Sequence, residues 1–398
     1  MIERYPKYYE DFSCIAGACE DTCCAGWEID IDDESYSYYM QVEGEFGKRI
    51  RENIKEYDIK EEQYESHGFC LTERKRCPFL NEHNLCDIIL NLGEEAICDV
   101  CTYTPRNFLE YGGVREISIS PSCAEAGRLI FGQKNKVTFC ERESGEALSI
   151  VEEEDDILWA KQVMQIRDGA IFLFQNREKP LHERVADGIC YAQKIQEYFN
   201  REDYDGAERF AKNVLEEEHV AYQQLHRIKT ECESRQERIL DCYNAFCMRV
   251  RAYSELDSIG DEWETTLQGI WKVFLSESGK ENYLHQREAY MQYIEQENRE
   301  FEFEQMLVYE AFLFLGRCVD DDNFWGKMQY VIAGYLMMKD MDTLRFYEKN
   351  QHFTLEDRID IARIYAKEIE HSQDNLDILE EAFLFEDCFT IENMLMSI

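Results

Sequence analysis

The stretch Leu225-His226-Arg227-Ile228-Lys229-Thr230-Glu231-Cys232, followed by Ile239-Leu240-Asp241-Cys242-Tyr243-Asn244-Ala245-Phe246-Cys247-Met248-Arg249-Val250, places apolar side chains at positions 225, 228, 232, 239, 243, 246 and 250. Steps of three, four and seven residues return to one face of a helix, so these positions draw one continuous apolar stripe. Similar stripes run through 157–174, 185–199, 263–274, 303–315, 324–338 and 355–369. Thr354 with Asp357, and Asp320 to Asp322, have the side chains expected of helix N-caps. After Pro180 the remaining 218 residues contain no proline, which is excluded from helix interiors. No fixed-period repeat is visible, so an irregular helical bundle is expected rather than a solenoid.

Working outward, the earlier part of the chain is different. Four of the five prolines, ten of the twenty glycines and ten of the seventeen cysteines precede residue 135. The expected fold is therefore mainly α, with a small α+β cysteine-rich domain over 1–150 and an all-helical domain over 151–398. The acidic run Glu152 to Asp156 marks the joint and suits the first turn of a helix. Trp27-Glu28-Ile29-Asp30-Ile31 alternates like a short strand, after which Asp32 or Asp33 can cap a helix running to about Ile54. Gly112-Gly113 separates two alternating runs, 108–111 and 114–119, and predicts a hairpin. Ser122 and Glu125 have capping-box spacing before a helix to about Phe131, which sets Cys123 in a first turn whose N–H groups favour a thiolate. Residues 137–139 and 147–151 predict a second hairpin.

The net charge of −40 argues against nucleic acid and anionic membrane as partners, since both carry the same sign. The opening residues lack the apolar core of a secretory signal, and the longest apolar run, Tyr330 to Met338, is too short to span a bilayer. A cytoplasmic location is expected, where cysteines read as metal ligands, redox groups or core residues rather than a disulfide framework.

The cysteines form a constellation: Cys14-x4-Cys19-x3-Cys23-Cys24, then Cys77, Cys86, Cys98-x2-Cys101 and Cys123. Thiolates at such spacings can turn onto zinc or an iron–sulfur cluster. Adjacent Cys23 and Cys24 cannot easily face one mononuclear centre, so these nine give one site with spares, or two sites. Cys70 is set aside. His67 and His83 can supply imidazole, although His83 sits in a turn and reads as solvated. The cysteines from Cys190 onward read as core residues.

These segments resemble the bacterial CxxCxxCC cysteine-cluster family, described as zinc- or iron-chelating, and more specifically the flagellin lysine N-methylases. The resemblance rests on residues 19–28, 77–82, 84–87 and 120–126, and covers roughly residues 5–132. It departs from the pattern in its x4 first spacing and in Thr102, where the broader family has arginine. The radical-enzyme pattern C-x3-C-x2-C is absent. The resemblance implies methyl transfer from S-adenosylmethionine to lysine ε-amines of flagellin, with an iron–sulfur cluster (4Fe-4S, zinc being the alternative) held by four of Cys14, Cys19, Cys23, Cys24, Cys77, Cys86, Cys98, Cys101 and Cys123.

No G-x-G-x-x-G follows a strand and no βαβ alternation occurs, so a doubly wound nucleotide-binding fold is not expected. Asp99, Tyr103 and Arg106, beside Cys98 and Cys101, are the candidate catalytic residues. Two readings compete with the enzyme: a zinc-holding interaction module whose helices dock a partner protein, and a redox or metal-storage protein with active thiolates.

Overall fold

The computed structural model describes residues 1–19, 21–57, 66–73, 75–145, 154–234 and 240–398. The early elements are β1 (Ile2–Pro6), β2 (Asp30–Ile31), α1 (Asp33–Gln41), α2 (Gly44–Glu52), β3 (Ile54–Glu56), β4 (His67–Phe69), α3 (Asp87–Leu92), α4 (Asp99–Tyr103), β5 (Arg106–Tyr111), β6 (Val114–Ile119), α5 (Ala124–Phe131) and β7 (Phe139–Glu143). Helices follow without further strands among the described residues: α6 (Glu154–Phe174), α7 (Leu181–Phe199), α8 (Tyr204–Leu215), α9 (His219–Ser234), α10 (Cys242–Ser254), α11 (Asp261–Phe274), α12 (Gly279–Gln296), α13 (Glu300–Phe314), α14 (Phe324–Glu348), α15 (Leu355–Ile369), α16 (Gln373–Phe385) and α17 (Ile391–Ser397). The protein is mainly α with an α+β N-terminal region, as composition implied. Among the described residues no helix is long and apolar enough to cross a membrane.

The chain forms two compact units. The smaller is Phe12–Asn107 with Ile119–Ala126; the larger is Met1–Asp11, Phe108–Ser118 and Gly127–Ile398. This division differs from the boundary drawn at residue 150, because β1 is claimed by a sheet rather than by its sequence neighbours. That sheet has the order β5-β6-β1-β7, with β1 parallel to β6 and antiparallel to β7. The smaller unit holds a three-stranded sheet, β2-β4-β3, with antiparallel pairs.

In the larger unit α13 and α14 are buried on nearly all sides, including their charged residues. Most of these charges meet a partner from elsewhere in the unit. Asp340 accepts from Arg249 Nη2 at 2.6 Å and Tyr283 Oη at 2.7 Å. Asp342 pairs with Arg358 and accepts from Tyr290 Oη at 3.1 Å. Glu304 takes Arg177 Nε at 2.9 Å and Arg184 Nη1 at 2.6 Å. Glu116 on β6 meets Arg167 on α6, and Arg4 on β1 reaches Asp168 at 2.8 Å, which ties the sheet to the helices.

Several sequence expectations are met in detail. The hairpin turn is Gly112-Gly113, with φ of 56° and 77°, as a tight two-residue turn between twisted strands requires. Gly112 also abuts α6, where an added Cβ would lie 2.3 Å from that of Ala160. Thr354 and Asp357 form a reciprocal capping box.

Others are corrected. The stripe from Leu225 to Val250 is two helices, α9 and α10, because Asp241 caps a new start by accepting from the Asn244 N–H. Ile239 lies outside the described residues. The helix expected through Ile54 breaks at Val42-Glu43: Gly44 has φ of 80°, and α2 folds back so that Arg51 donates to the Val42 carbonyl at 2.7 Å. The expected strand 27–31 shrinks to Asp30–Ile31. Asn323, not Asp320 to Asp322, caps α14. β7 pairs with β1; the other arm expected for the second hairpin, 147–151, lies outside the described residues, as do Glu152 and Glu153 of the acidic run. Glu154, Asp155 and Asp156 do occupy the first turn of α6.

Two buried charges are exceptions: Glu310 of α13, whose carboxyl pKa is pushed well above the usual range by burial and the Glu370 charge, and Lys339 of α14. The Lys339 Nζ reaches the Tyr335 hydroxyl at 3.4 Å, and burial, with Arg287 nearby, pushes its pKa well below the usual 10.5. Below 10.5 the unfolded chain binds a proton that the folded one refuses, so stability is lost as pH falls towards the folded value. Lys339→Met, of similar volume, is therefore expected to stabilise the protein by roughly 1 kcal/mol near neutral pH and by less as pH nears 10.5. Denaturant unfolding at the two pH values checks this; an equal or absent gain would contradict a neutral buried amine.

Candidate functional site

The smaller unit is built around an apolar core of Ile29, Ile31, Tyr39, Ile50, Phe69, Phe79, Ile88 and Ala96, in which Cys77 and Cys98 are fully packed. Cys24, Cys86 and Cys101 pack against the same core from its margin. Five of the nine expected ligands thus gather in one place. Backbone pairing brings them there: the Cys77 N–H donates to the Cys24 carbonyl at 2.8 Å, and Leu80 bridges to Cys86. Cys86 and Cys98 stand at the N-caps of α3 and α4. The Cys98 and Cys101 sulfurs are 3.5 Å apart. Cys14, Cys19, Cys23 and Cys123 lie outside this core; Cys14 and Cys23 are exposed and the other two half-buried. No cysteine is bridged in a disulfide.

Thiol chemistry varies with these surroundings. The hydrogen bond shared with Cys101 is the main cause that lowers the pKa of Cys98, and the same bond raises that of Cys101. A hydrogen bond from Cys23 lowers the pKa of Cys24 against the effect of burial. Burial raises Cys77 and Cys123, each to about 11, and raises Cys86 and Cys19 as well. The expectation that the first turn of α5 would favour a thiolate at Cys123 is therefore overturned: the Glu125 and Ala126 N–H groups do point at its sulfur, but desolvation outweighs them.

One local geometry recurs. The backbone N–H groups two or three residues onward donate to the sulfurs of Cys77 (from Phe79 and Leu80), Cys86 (from Ile88 and Ile89) and Cys98 (from Cys101). Such turns stabilise negative charge on sulfur and tune a bound metal or cluster. This donor set suits a soft metal. A zinc ion with bonds of about 2.3 Å sets its sulfurs roughly 3.8 Å apart, and an iron–sulfur core sets them wider. Among the described residues no three His, Cys, Asp or Glu side chains already converge on a point. Closing like-charged thiolates onto one centre needs the cation itself.

The other candidates are less engaged. Asp99 is exposed; its N–H donates to Asp32 at 2.9 Å, and slight burial with the Asp32 and Glu34 charges raises its carboxyl pKa. Tyr103 is exposed at the end of α4, and the Arg106 guanidinium lies over the Phe12 ring at 5.3 Å. Thr102 caps backward onto the Cys98 carbonyl at 3.2 Å. His67 stacks on Tyr36 at 3.7 Å, and His83 is exposed. Cys190, Cys232, Cys318 and Cys388 are buried, whereas Cys242 and Cys247 are half-buried.

Two units, one rich in thiols and one a helical assembly with a charged core, define a mainly helical class, with no Rossmann-type sheet among the described residues. Residues 167–397 match the FliB lysine N-methylase C-terminal domain, more than half of the chain, and the chain belongs to that family. The chain is 28% identical over 149 residues to the flagellar biosynthetic protein FliU of Salmonella muenchen, covering 37% of this chain and 86% of that protein. It is 27% identical over 140 residues to the lysine-N-methylases of Salmonella choleraesuis and Salmonella typhimurium. Those alignments span 34% of this chain and 34% of the length of each relative. No solved structure matches the chain.

The family match lies on the helical part, where the sequence offered no motif; the thiol segments carried the resemblance instead. The buried charges of α13 and α14 were also passed over, since a charged residue on a helix reads by default as solvated. The available signal was their position inside apolar runs, as in Met338-Lys339-Asp340-Met341-Asp342.

In metal-free reduced protein, alkylation is expected to label Cys14 and Cys23 first and the buried Cys77 and Cys98 last. Peptide mapping by mass spectrometry reads the order, and early labelling of Cys77 would contradict the core described here.

Proposed function

We propose that the protein is a protein-lysine N-methyltransferase acting on flagellin, with S-adenosylmethionine as methyl donor and an iron–sulfur cluster on the core cysteines. The observation that carries this reading is the match of residues 167–397 to the lysine N-methylase family. The names of the relatives, lysine-N-methylase and a flagellar biosynthetic protein, support the substrate class.

In the reaction the neutral ε-amine of lysine attacks the sulfonium methyl group. An N–C bond forms, the S–C bond breaks with its electron pair left on sulfur, and the amine loses a proton. Most of the barrier is one of in-line alignment and proton removal. Acidic and aromatic surfaces suit both the cationic donor and the lysine chain. Asp99, its carboxyl pKa raised by partial burial and by the Asp32 and Glu34 charges, is the base candidate within the thiol-rich unit. Of the core set, Cys24, Cys77, Cys86, Cys98 and Cys101 supply more than the four thiolates one cluster requires, and the backbone N–H groups at Cys77, Cys86 and Cys98 would support their charge. When bound, such a cluster supplies electron exchange or an iron site with Lewis acidity.

Anaerobically purified protein is expected to be brown and to carry iron and acid-labile sulfide. With labelled S-adenosylmethionine it should transfer methyl groups to flagellin lysines, and Cys77→Ala or Cys98→Ala should lose both colour and transfer. Failure of cluster-loaded protein to methylate flagellin would remove this substrate, and colourless zinc-bearing protein would favour the interaction module.

A further inference from the structure

Helix α10 carries two nearby arginines with opposite fates. Arg249 lies on the buried face with Phe246 and Val250 and pairs with Asp340. Arg251 is exposed on the other side, and among the described residues its guanidinium makes no ion pair or hydrogen bond. In a chain with 83 acids against 43 bases, a guanidinium left without an acid is a conspicuous vacancy of charge. Asn244 is exposed as well. Its backbone N–H caps onto Asp241, but its side-chain amide makes no hydrogen bond among the described residues.

Both residues line a cavity of about 410 Å³ walled by α10 and the end of α11. Tyr243 and Cys247 line it too, one and two turns before Arg251, because steps of four stay on one side of a helix. The α11 wall is Trp271, which is 40% exposed although it is the largest apolar side chain there. The rings are nonetheless fixed. The Trp271 Nε1–H donates to Ser254 Oγ at 3.2 Å, and the Tyr243 hydroxyl donates to the Phe274 carbonyl at 2.8 Å. Lys280, 5.6 Å from the centre of the Tyr243 ring, is tied to Asp241 at 2.8 Å, so Arg251 keeps the uncompensated charge. Among the described residues the lining contains no acid.

These three features recognise three parts of one ligand. A half-exposed indole stacks a flat heteroaromatic ring. An amide, with donor and acceptor side by side, matches N6 and N7 of adenine. A guanidinium takes a carboxylate or phosphate in a fork. The volume also falls within the roughly 300–1,000 Å³ of small-molecule sites. We propose that this cavity binds an adenosine derivative ending in a carboxylate or phosphate, with the adenine on Trp271, its edge on Asn244 and its anionic end on Arg251. The cavity belongs to the helical unit and lies within residues 167–397, which carry the family match. S-adenosyl compounds are the carboxylate-bearing source of this chemistry; in that case the inference rests on the methyltransferase reading and gives the donor its site. Adenine nucleotides are the phosphate-bearing source.

The test uses full-length protein, with S-adenosylhomocysteine and AMP as probes in titration calorimetry. One of the two is expected to bind at a one-to-one ratio and to slow alkylation of Cys247, on the cavity wall, but not of Cys242 on the same helix. Arg251→Ala and Asn244→Ala, both at exposed positions, should each weaken that binding about 10-fold or more with the circular dichroism unchanged. Binding of neither probe, binding that both variants leave intact, or an unprotected Cys247 would overturn the site. Binding of AMP alone would support the site and separate it from methyl transfer. Flagellin methylation at an unchanged donor KM in Arg251→Ala would overturn the cavity as the donor's site and leave the methyltransferase reading standing. Bound S-adenosylhomocysteine, weakened in both variants, without any flagellin methylation would support the site and remove that substrate.

Discussion

Asp340 and Asp342 on α14 are the constraint on which the helical unit turns. An acid inside a packed helix costs several kcal/mol unless it is met by charge and hydrogen bonds from fixed directions. Here the directions belong to different helices: Arg249 from α10, Tyr283 and Tyr290 from α12, and Arg358 from α15. Each partner must arrive at one register, so two carboxylates place three helices around a fourth. Apolar contact alone would tolerate sliding by a turn; a misplaced arginine would leave a buried acid unpaired.

The same device recurs at the edge of the unit. Glu304 gathers Arg177 and Arg184, and Glu116 gathers Arg167, Tyr111 and Arg4. In the thiol-rich unit no such charged core exists among the described residues, and order there comes from aromatic packing of Tyr39, Phe69 and Phe79 together with turns around sulfur. The two units thus solve the burial problem with different chemistry, one with paired charge and one with a donor set.

Sequence reading recovered the features that are written locally. The Gly112-Gly113 hairpin, the Thr354 capping box and the helical character after Pro180 each rest on a few neighbouring residues. What stayed hidden depends on residues far apart. Nothing near Ile2 announces that β1 lies between β6 and β7, and nothing near Val42 announces that the chain folds back on itself before α2. At the cysteines, spacing gave the ligand candidates and the awkwardness of Cys23 beside Cys24, but not which thiols share a core. That partition follows from Ile29, Tyr39 and Phe79 drawing five sulfurs inward, a packing fact rather than a spacing fact. The thiolate expected at Cys123 failed for a related reason, since burial cannot be read from a cap.

The pairing of β1 with β6 also bears on how the protein is made. During synthesis β1 emerges more than a hundred residues before the strand it lies against; Arg4 and Glu116 are separated by 112 positions. In the interval the whole run from Phe12 to Asn107 leaves the ribosome, enough to form most of the thiol-rich unit. Until β6 arrives, β1 is a strand with open edges, exposed to mispairing and to chaperones. Vectorial folding therefore favours early completion of the inserted unit, with the helical unit closing later around a strand that was synthesised before it.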